Sequence, residues 1–310
     1  MSSPERKLIV VTGAGSGIGL GSATALKDKG YVILAVCQFE EEAVARKNSG
    51  MEAIQGDLTD NSDVEKVVAC AEELLEQKNL HLWAVVNSAG RIIPGMCDWL
   101  SLQNYEDTFR INFFALVNLT NKLIPLLKNC PGSRVVNISS IEGFISAPGN
   151  APYNASKYAV EAFSNTLRAE MRWFNVHVSV VEPGIIKTKL AAGVADGFYH
   201  SYTQADVSVQ AEYGEDFGKQ FLESNMINLA DDVSVAVKDI VKACTRKKPK
   251  CRYISGFSAK WILKPISRLP SRWQDYILTK MFFKVKPAVL NAAGPAPLLA
   301  IPPAENQETL

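Results

Sequence analysis

Two groups of side chains in this 310-residue chain have the types and spacing to do chemistry. Tyr153 and Lys157 lie four residues apart in a stretch of helical period, so their side chains share one helix face. A phenol ordinarily titrates at about 10, too high for a good base at neutral pH. An ammonium close by favours the phenolate and lowers that value. One pKa unit is worth about 1.4 kcal/mol, so a single near cation supplies useful tuning for general acid–base work. The second group is Thr12-Gly13-Ala14-Gly15-Ser16-Gly17-Ile18-Gly19, between an apolar run and a helical stretch. Glycines there permit a tight turn and close approach to a pyrophosphate, while the free N–H groups and positive end of the following helix favour the anion. No lysine accompanies these glycines, so the phosphate-loop pattern is not met and a dinucleotide is the better ligand.

Placing these groups requires a framework, and the hydropathy pattern supplies one. Lys7–Thr12, Val32–Val36, Leu82–Asn87, Arg134–Ser139 and His177–Glu182 are short apolar runs expected as buried strands. Leu20–Lys29, Asn61–Gln77, Leu102–Leu127 and Asn154–Trp173 have helical period. This alternation predicts an α/β fold, a Rossmann-type doubly wound parallel sheet covered on both faces and forming one domain over residues 1–286. From about residue 190 to 230 the periodicity weakens and Gly, Tyr and Phe accumulate, as in a substrate loop or lid. Residues 287–310 carry five prolines and are expected to be disordered.

Composition narrows the class. With 47% hydrophobic and 21% charged residues, the chain is neither disordered throughout, nor collagen-like, nor a disulfide miniprotein. Its six cysteines form no Cys-x-x-Cys pair and its three histidines no cluster, so reduced thiols and no metal site are expected. The start, MSSPERKLIVVTG, reaches the first strand without room for a signal peptide or anchor helix, and a cytoplasmic chain is expected.

The glycine pattern Thr-Gly-x3-Gly-x-Gly resembles the cofactor signature of short-chain dehydrogenase/reductases. Three later stretches are similar to the same family: Asn87-Ser88-Ala89-Gly90, Ser140 with Tyr153-Asn154-Ala155-Ser156-Lys157, and Pro183-Gly184-Ile185-Ile186-Lys187-Thr188. The likeness spans roughly residues 7–285. It implies that Ser140, 13 residues before Tyr153, orients the substrate oxygen, with Ser139 the weaker competitor for that role. It implies also that Asn112 supports a proton relay and that Lys157 holds the nicotinamide ribose. By the same resemblance Asp57 and Leu58 hold the adenine ring, and Asn87 secures the strand beneath the cofactor. Ala89 and Gly90 complete that loop, and Ile185 and Thr188 contact the carboxamide. Homo-oligomers are common for this fold, through the helices at 102–127 and 154–173.

Cofactor choice turns on the end of the second strand. The family's NAD-selecting Asp would stand at Cys37, and no phosphate-binding Arg follows, since Gln38 comes next. Glu40, Glu41 and Glu42 place negative charge near any 2′-phosphate, which favours NAD over NADP; Arg46 or Lys47 swinging in is the route left open to NADP.

Segments such as Lys157–Phe163 and Phe174–Gly184 look like the retinol dehydrogenase and hydroxysteroid dehydrogenase branch, which also contains a lipid-dependent 3-hydroxybutyrate dehydrogenase. The implied substrate is a lipophilic alcohol or its carbonyl. Phe198, Tyr199, Tyr202, Tyr213, Phe217, Phe221 and Met226 give the lid a large apolar surface that suits a retinoid or sterol, or that packs on its own domain. Arg91 and Glu142 are expected near the pocket mouth, paired with each other; alternatively Arg91 binds a substrate carboxylate, making the substrate a 3-hydroxy acid. A non-catalytic dinucleotide-binding scaffold is the reading from a different class. No nucleic-acid partner is expected.

The net charge of +1 hides a split. From Lys242 to Lys286 there are 13 basic residues and one acid, interleaved with Trp261, Ile262, Leu269, Trp273 and other apolar side chains. That pattern fits a peripheral anchor on anionic lipid, which would deliver an apolar substrate directly and is the favoured reading; a solvated cap over the substrate site is the alternative.

Overall fold

The structure, a computed structural model, describes residues 6–222 and 230–292; Met226 and residues 293–310 lie outside the described residues, and Ala288–Ala292, within the tail expected to be disordered, form a short helix. Seven parallel strands form one sheet in the order β3-β2-β1-β4-β5-β6-β7. They are β1 (Lys7–Thr12), β2 (Val32–Cys37), β3 (Glu52–Gln55), β4 (His81–Asn87), β5 (Arg134–Ile138), β6 (His177–Pro183) and β7 (Arg252–Ser255). The residues of β1 are all buried because both faces of the sheet are covered. Ile9 and Val11 pack with Ala23 and Leu26 of α1 (Gly17–Lys27) and with Ile240 and Ala243 of α11 (Val233–Thr245). Leu8 and Val10 pack on the other face, with Val64 and Val67 of α3 (Asn61–Gln77) and Leu119 and Leu123 of α5 (Ala115–Lys128). Strand order reverses between β1 and β4, which opens a crevice beyond their carboxyl ends.

The expected strands and the doubly wound class agree with this architecture, and three features differ. β3 and β7, four residues each at the two edges of the sheet, are too short for a periodic signal. The helix expected over Leu102–Leu127 is two helices, α4 (Leu102–Phe109) and α5, joined by a π turn at Arg110–Phe114. Such a turn inserts extra length without changing composition, so hydropathy passes over it. The described part of the lid is helical: α7 (Lys189–Ala192), α8 (Val194–Gln204), α9 (Val207–Tyr213) and α10 (Glu215–Lys219). α8, α9 and α10 pack around Trp99, whose ring lies 4.9 Å from Phe198, 5.3 Å from Tyr202, 5.0 Å from Tyr213 and 5.9 Å from Phe217. Each such aromatic pair contributes about 0.5–1.5 kcal/mol beyond area burial, enough for a satellite core to hold three short helices.

After β7 the chain makes a second π turn, Ala259–Leu263, then α12 (Lys264–Ile266), α13 (Ser271–Phe282) and α14 (Ala288–Ala292). Leu263 and Leu278 bury against Ile141 and Ile145, which follow β5. The basic C-terminal segment is therefore docked over the carboxyl end of the sheet, where the crevice opens.

Candidate active site

Every strand that contributes to the site does so at its carboxyl end. β1 runs into the glycine loop, where Gly13 has φ +63°, a conformation L side chains rarely adopt. A β-carbon there would stand 3.0 Å from the Ala89 backbone, so the loops after β1 and β4 approach as only glycine allows. Thr12 ties the same loops together, its hydroxyl accepting from the Ser88 and Ala89 N–H groups at 2.9 and 3.1 Å. At the start of α1, Ser16 makes no side-chain cap, so the first amides of that helix are not satisfied by it and face the crevice. Gly15, Gly17, Ile18 and Gly19 complete a concave cradle of the kind a pyrophosphate needs. Asn87, buried beneath, donates from Nδ2 to Asn137 and Thr120 and so locks β4 to β5 and α5. It supports the floor and does not line the main cavity.

At the far end of the cradle, Cys37, Gln38, Asp57 and Leu58 line the crevice as expected. Asp57 accepts from the Thr59 N–H and hydroxyl at 2.9 and 2.8 Å, which fixes the turn after β3. Glu42, from α2 (Glu40–Asn48), lies directly against Gly15, and any β-carbon on Gly15 would overlap its carboxylate. The Cys37 thiol is pushed up to about 11 by burial, with Glu42 adding to the effect. This is an inert thiol beside a fixed negative charge.

The reacting groups sit on α6 (Ala151–Met171) and the turn after β5. Ser140 accepts at Oγ from the Glu142 N–H at 3.1 Å, capping a 3-10 turn at Ile141–Gly143. Tyr153 and Lys157 project from one face of α6, both buried, with the Lys157 Nζ 5.3 Å from the phenol ring centre. Nζ donates to the Ile138 carbonyl at 2.9 Å, so the lysine is aimed by the end of β5. Ser139 is turned away, its hydroxyl lying between Gly143 and Glu161.

The electrostatics differ from the expectation that Lys157 lowers the Tyr153 pKa. Burial pushes the phenol above its ordinary value and the Glu142 carboxylate pushes it further, while the Ser140 hydroxyl pulls it down. Burial also brings Lys157 down to about 8, against the pull of Glu161 and Glu142. Desolvation outweighs the pairwise attraction in this enclosed site.

Asn112 stands in the π turn at Arg110–Phe114. Its Nδ2 donates to the Arg91 carbonyl and Ser156 Oγ, both at 3.0 Å, and its Oδ1 accepts from the Arg91 N–H at 2.8 Å. The side chain is thus committed to holding the Gly90–Arg91 backbone against α6.

The pairing expected between Arg91 and Glu142 is absent among the described residues. Arg91 is exposed at the cavity rim, whereas Glu142 lies deeper and accepts from Asn150 Nδ2 at 2.7 Å. Of the two lid residues placed at the substrate, Phe198 lines the cavity and is buried. Tyr199 does not: it stacks on Tyr202 and its hydroxyl donates to Glu215. One residue along a helix turns a side chain by about 100°, so only one of two neighbours faces inward.

The glycine cradle, Ser140, Tyr153, Lys157, Pro183, Gly184, Ile185 and Thr188 line one cavity of about 1110 Å³, closed on its far side by Phe198, Phe221, Leu263, Leu278 and Phe282, while Asn112 stands behind its wall. Sequence reasoning placed Glu42 only among the acids near a 2′-phosphate and missed Asn150 as the partner of Glu142, while the C-terminal segment, offered as a cap over the substrate site, does wall the cavity. The only sequence signal for the last was the apolar content of the basic segment.

Comparison with known proteins accords with this geometry. The short chain dehydrogenase family profile matches residues 7–197. Human dehydrogenase/reductase SDR family member 9 is 35% identical over 283 residues, 88% of each chain. Bovine 17-beta-hydroxysteroid dehydrogenase type 6 is 31% identical, covering 93% of each, and rat retinol dehydrogenase 7 is 31% identical over 93% of this chain and 92% of that one. Among solved structures, a short-chain dehydrogenase from Streptomyces avermitilis superposes with a TM-score of 0.67 at 27% identity, covering 84% of this chain and 92% of that one. On fold, site geometry and these relatives together, the chain belongs to the short-chain dehydrogenase/reductase family, in its retinol and hydroxysteroid dehydrogenase branch.

Proposed function

We propose that the chain transfers a hydride between NAD(H) and the alcohol or carbonyl carbon of a lipophilic substrate of retinoid or sterol type, with Tyr153 as acid and base. The observation that carries this reading is that the glycine cradle, the Ser140–Tyr153–Lys157 group and an apolar wall share one cavity. When bound, the nicotinamide supplies the hydride acceptor or donor. The rest falls to the chain's own residues. Ser140 Oγ holds the substrate oxygen, and Tyr153 takes the carbinol proton during oxidation and returns it during reduction. Lys157, pinned by Ile138, keeps a cation near the phenol, and Asn112 holds the rim loop in register. The retinol and hydroxysteroid relatives support the substrate class.

Glu42 against Gly15, with Cys37 and Gln38 offering no guanidinium fork, favours NAD over NADP, because a 2′-phosphate entering there meets a carboxylate. The 3-hydroxy acid alternative is less well supported. A substrate carboxylate close to Ser140 would meet Glu142, and Arg91 stands at the rim instead of beside the serine. Absorbance at 340 nm with NAD and NADP in parallel, over retinol, sterol and 3-hydroxybutyrate, tests the reading. Turnover of 3-hydroxybutyrate alone would favour the alternative, and no turnover with cofactor bound would favour a scaffold.

The C-terminal segment further supports attachment to an anionic membrane surface. The chain side of this segment presents Leu263, Leu278 and Phe282 to the cavity, while Phe257, Trp261, Ile262, Leu269, Trp273 and Met281 are exposed. Lys260, Arg268 and Lys280 are exposed among them. Basic side chains interleaved with exposed tryptophans fit the headgroup region, and docking there would bring the cavity wall to the lipid. Among the described residues no helix is long and apolar enough to cross a membrane.

A further inference from the structure

The reaction as assigned makes no use of Glu142, yet this carboxyl lines the cavity two residues beyond Ser140. Its own backbone N–H donates to Ser140 Oγ at 3.1 Å, so the carboxyl and the substrate-holding hydroxyl spring from one rigid 3-10 turn. Asn150, the residue before α6, fixes one carboxyl oxygen by donating to Oε2 at 2.7 Å. The other oxygen, Oε1, receives no hydrogen bond from the described residues. Asn150 adds a second open acceptor. The residue is 9% exposed, and its Oδ1 is buried without a hydrogen-bond partner. Of the residues that line the same cavity, Ile141, Ile145, Ala147, Pro148, Leu278 and Phe282 bring no side-chain donor.

A buried acceptor without a donor costs about 1–3 kcal/mol, so the buried Asn150 Oδ1, beside the half-buried Glu142 carboxylate with its unpaired Oε1, marks a place built for a donor from outside the chain. The charged and titratable groups around the carboxyl are Tyr153 and Lys157, both on α6. Burial pushes the Glu142 carboxyl up to about 7, so an incoming donor also draws it toward its ionised form.

We propose that Glu142 and Asn150 form a subsite for a hydrogen-bond donor on the substrate, namely a second hydroxyl on the carbon next to the reacting carbinol or next but one. The substrate is then a lipophilic diol or hydroxyketone, recognised by an apolar body and a polar pair of oxygens: one held by Ser140, the other donating to Glu142. The same carboxyl rejects a carboxylate at that position. This inference rests on the dehydrogenase reading for the identity of the reacting oxygen, but the subsite is testable without turnover.

The test is calorimetric titration of decane-2,3-diol and decan-2-ol into protein saturated with NADH, a combination in which no alcohol is oxidised. The wild-type protein is expected to bind the diol about tenfold more tightly, the worth of one hydrogen bond to a charged group. Glu142→Leu is expected to bring that ratio to about one, and Glu142→Gln, which keeps an acceptor oxygen, to leave an intermediate preference. The preceding NADH titration on each preparation reports that the variant is folded with its cradle intact. Equal affinity of the wild type for both alcohols, including failure to bind either, overturns the proposal, as does a preference retained by Glu142→Leu. Loss of hydride transfer with the diol preference intact would instead count against the dehydrogenase reading alone.

Discussion

Arg252, on the edge strand β7, holds the carboxylate of Glu161 on the catalytic helix α6 at 2.6 Å, one turn beyond Lys157. The same guanidinium pairs with Glu182 at the end of β6, a side chain with no solvent exposure. One cation thus serves two buried acids, and one of those acids raises the pKa of Lys157. The last strand of the sheet is thereby coupled to the electrostatics of the reacting group.

Replacing Arg252 by Leu leaves both acids unpaired, and the expected loss is about 3 kcal/mol of stability at pH 7.5. Burial already raises the Glu182 pKa, and without Arg252 it rises further. Protonation then relieves the variant, so its deficit relative to the wild type is smaller at pH 5 than at pH 7.5. Urea unfolding at the two pH values checks this; a deficit that grows in acid contradicts it.

Lys157 is a buried base whose folded-state pKa, about 8, lies below its ordinary 10.5. Below pH 8 the folded state must carry a charge it disfavours, and the penalty fades as pH rises through 8 and the lysine is neutralised. Lys157→Met is therefore expected to stabilise the cofactor-free protein at pH 7 by on the order of 1–2 kcal/mol, even as it removes activity. The gain shrinks toward pH 10. A lower melting temperature at pH 7 would contradict this.

Glu42 stands where a 2′-phosphate would enter. Glu42→Ala is expected to improve NADPH binding relative to NADH by about fivefold to tenfold, read from fluorescence titration of each. An unchanged ratio would move the selectivity elsewhere.

Reversing Lys260, Arg268 and Lys280 to Glu together is expected to release the protein from anionic vesicles in a flotation assay, since each basic residue near the surface is worth about 1 kcal/mol. Wild-type protein that stays wholly in solution with such vesicles would refute the membrane reading.

The parts of this molecule legible in its sequence are those where a local pattern has a local cause. β1 and its glycine loop could be read because β-branched residues followed by close-spaced glycines have few other uses. Helical spacing puts Tyr153 and Lys157 on one face, and it was their distance from Ser140 and Asn112, matched to the family pattern, that let the pair be read as reacting groups. What escaped depends on contacts distant in sequence. Nothing local says that Glu142 meets Asn150 and not Arg91, or that Glu42 folds back onto Gly15. Nor could the sign of the Tyr153 shift be foreseen, because it is set by the burial of the phenol in the folded site and by Glu142 beside it.

The central claim is that the Tyr153 oxygen carries the proton. Purified Tyr153→Phe removes that oxygen and keeps the ring. Single-turnover absorbance at 340 nm with saturating NAD and a substrate the wild type oxidises should show hydride transfer slowed by at least about a hundredfold, with NAD affinity retained. Transfer at the wild-type rate by this variant would contradict the account.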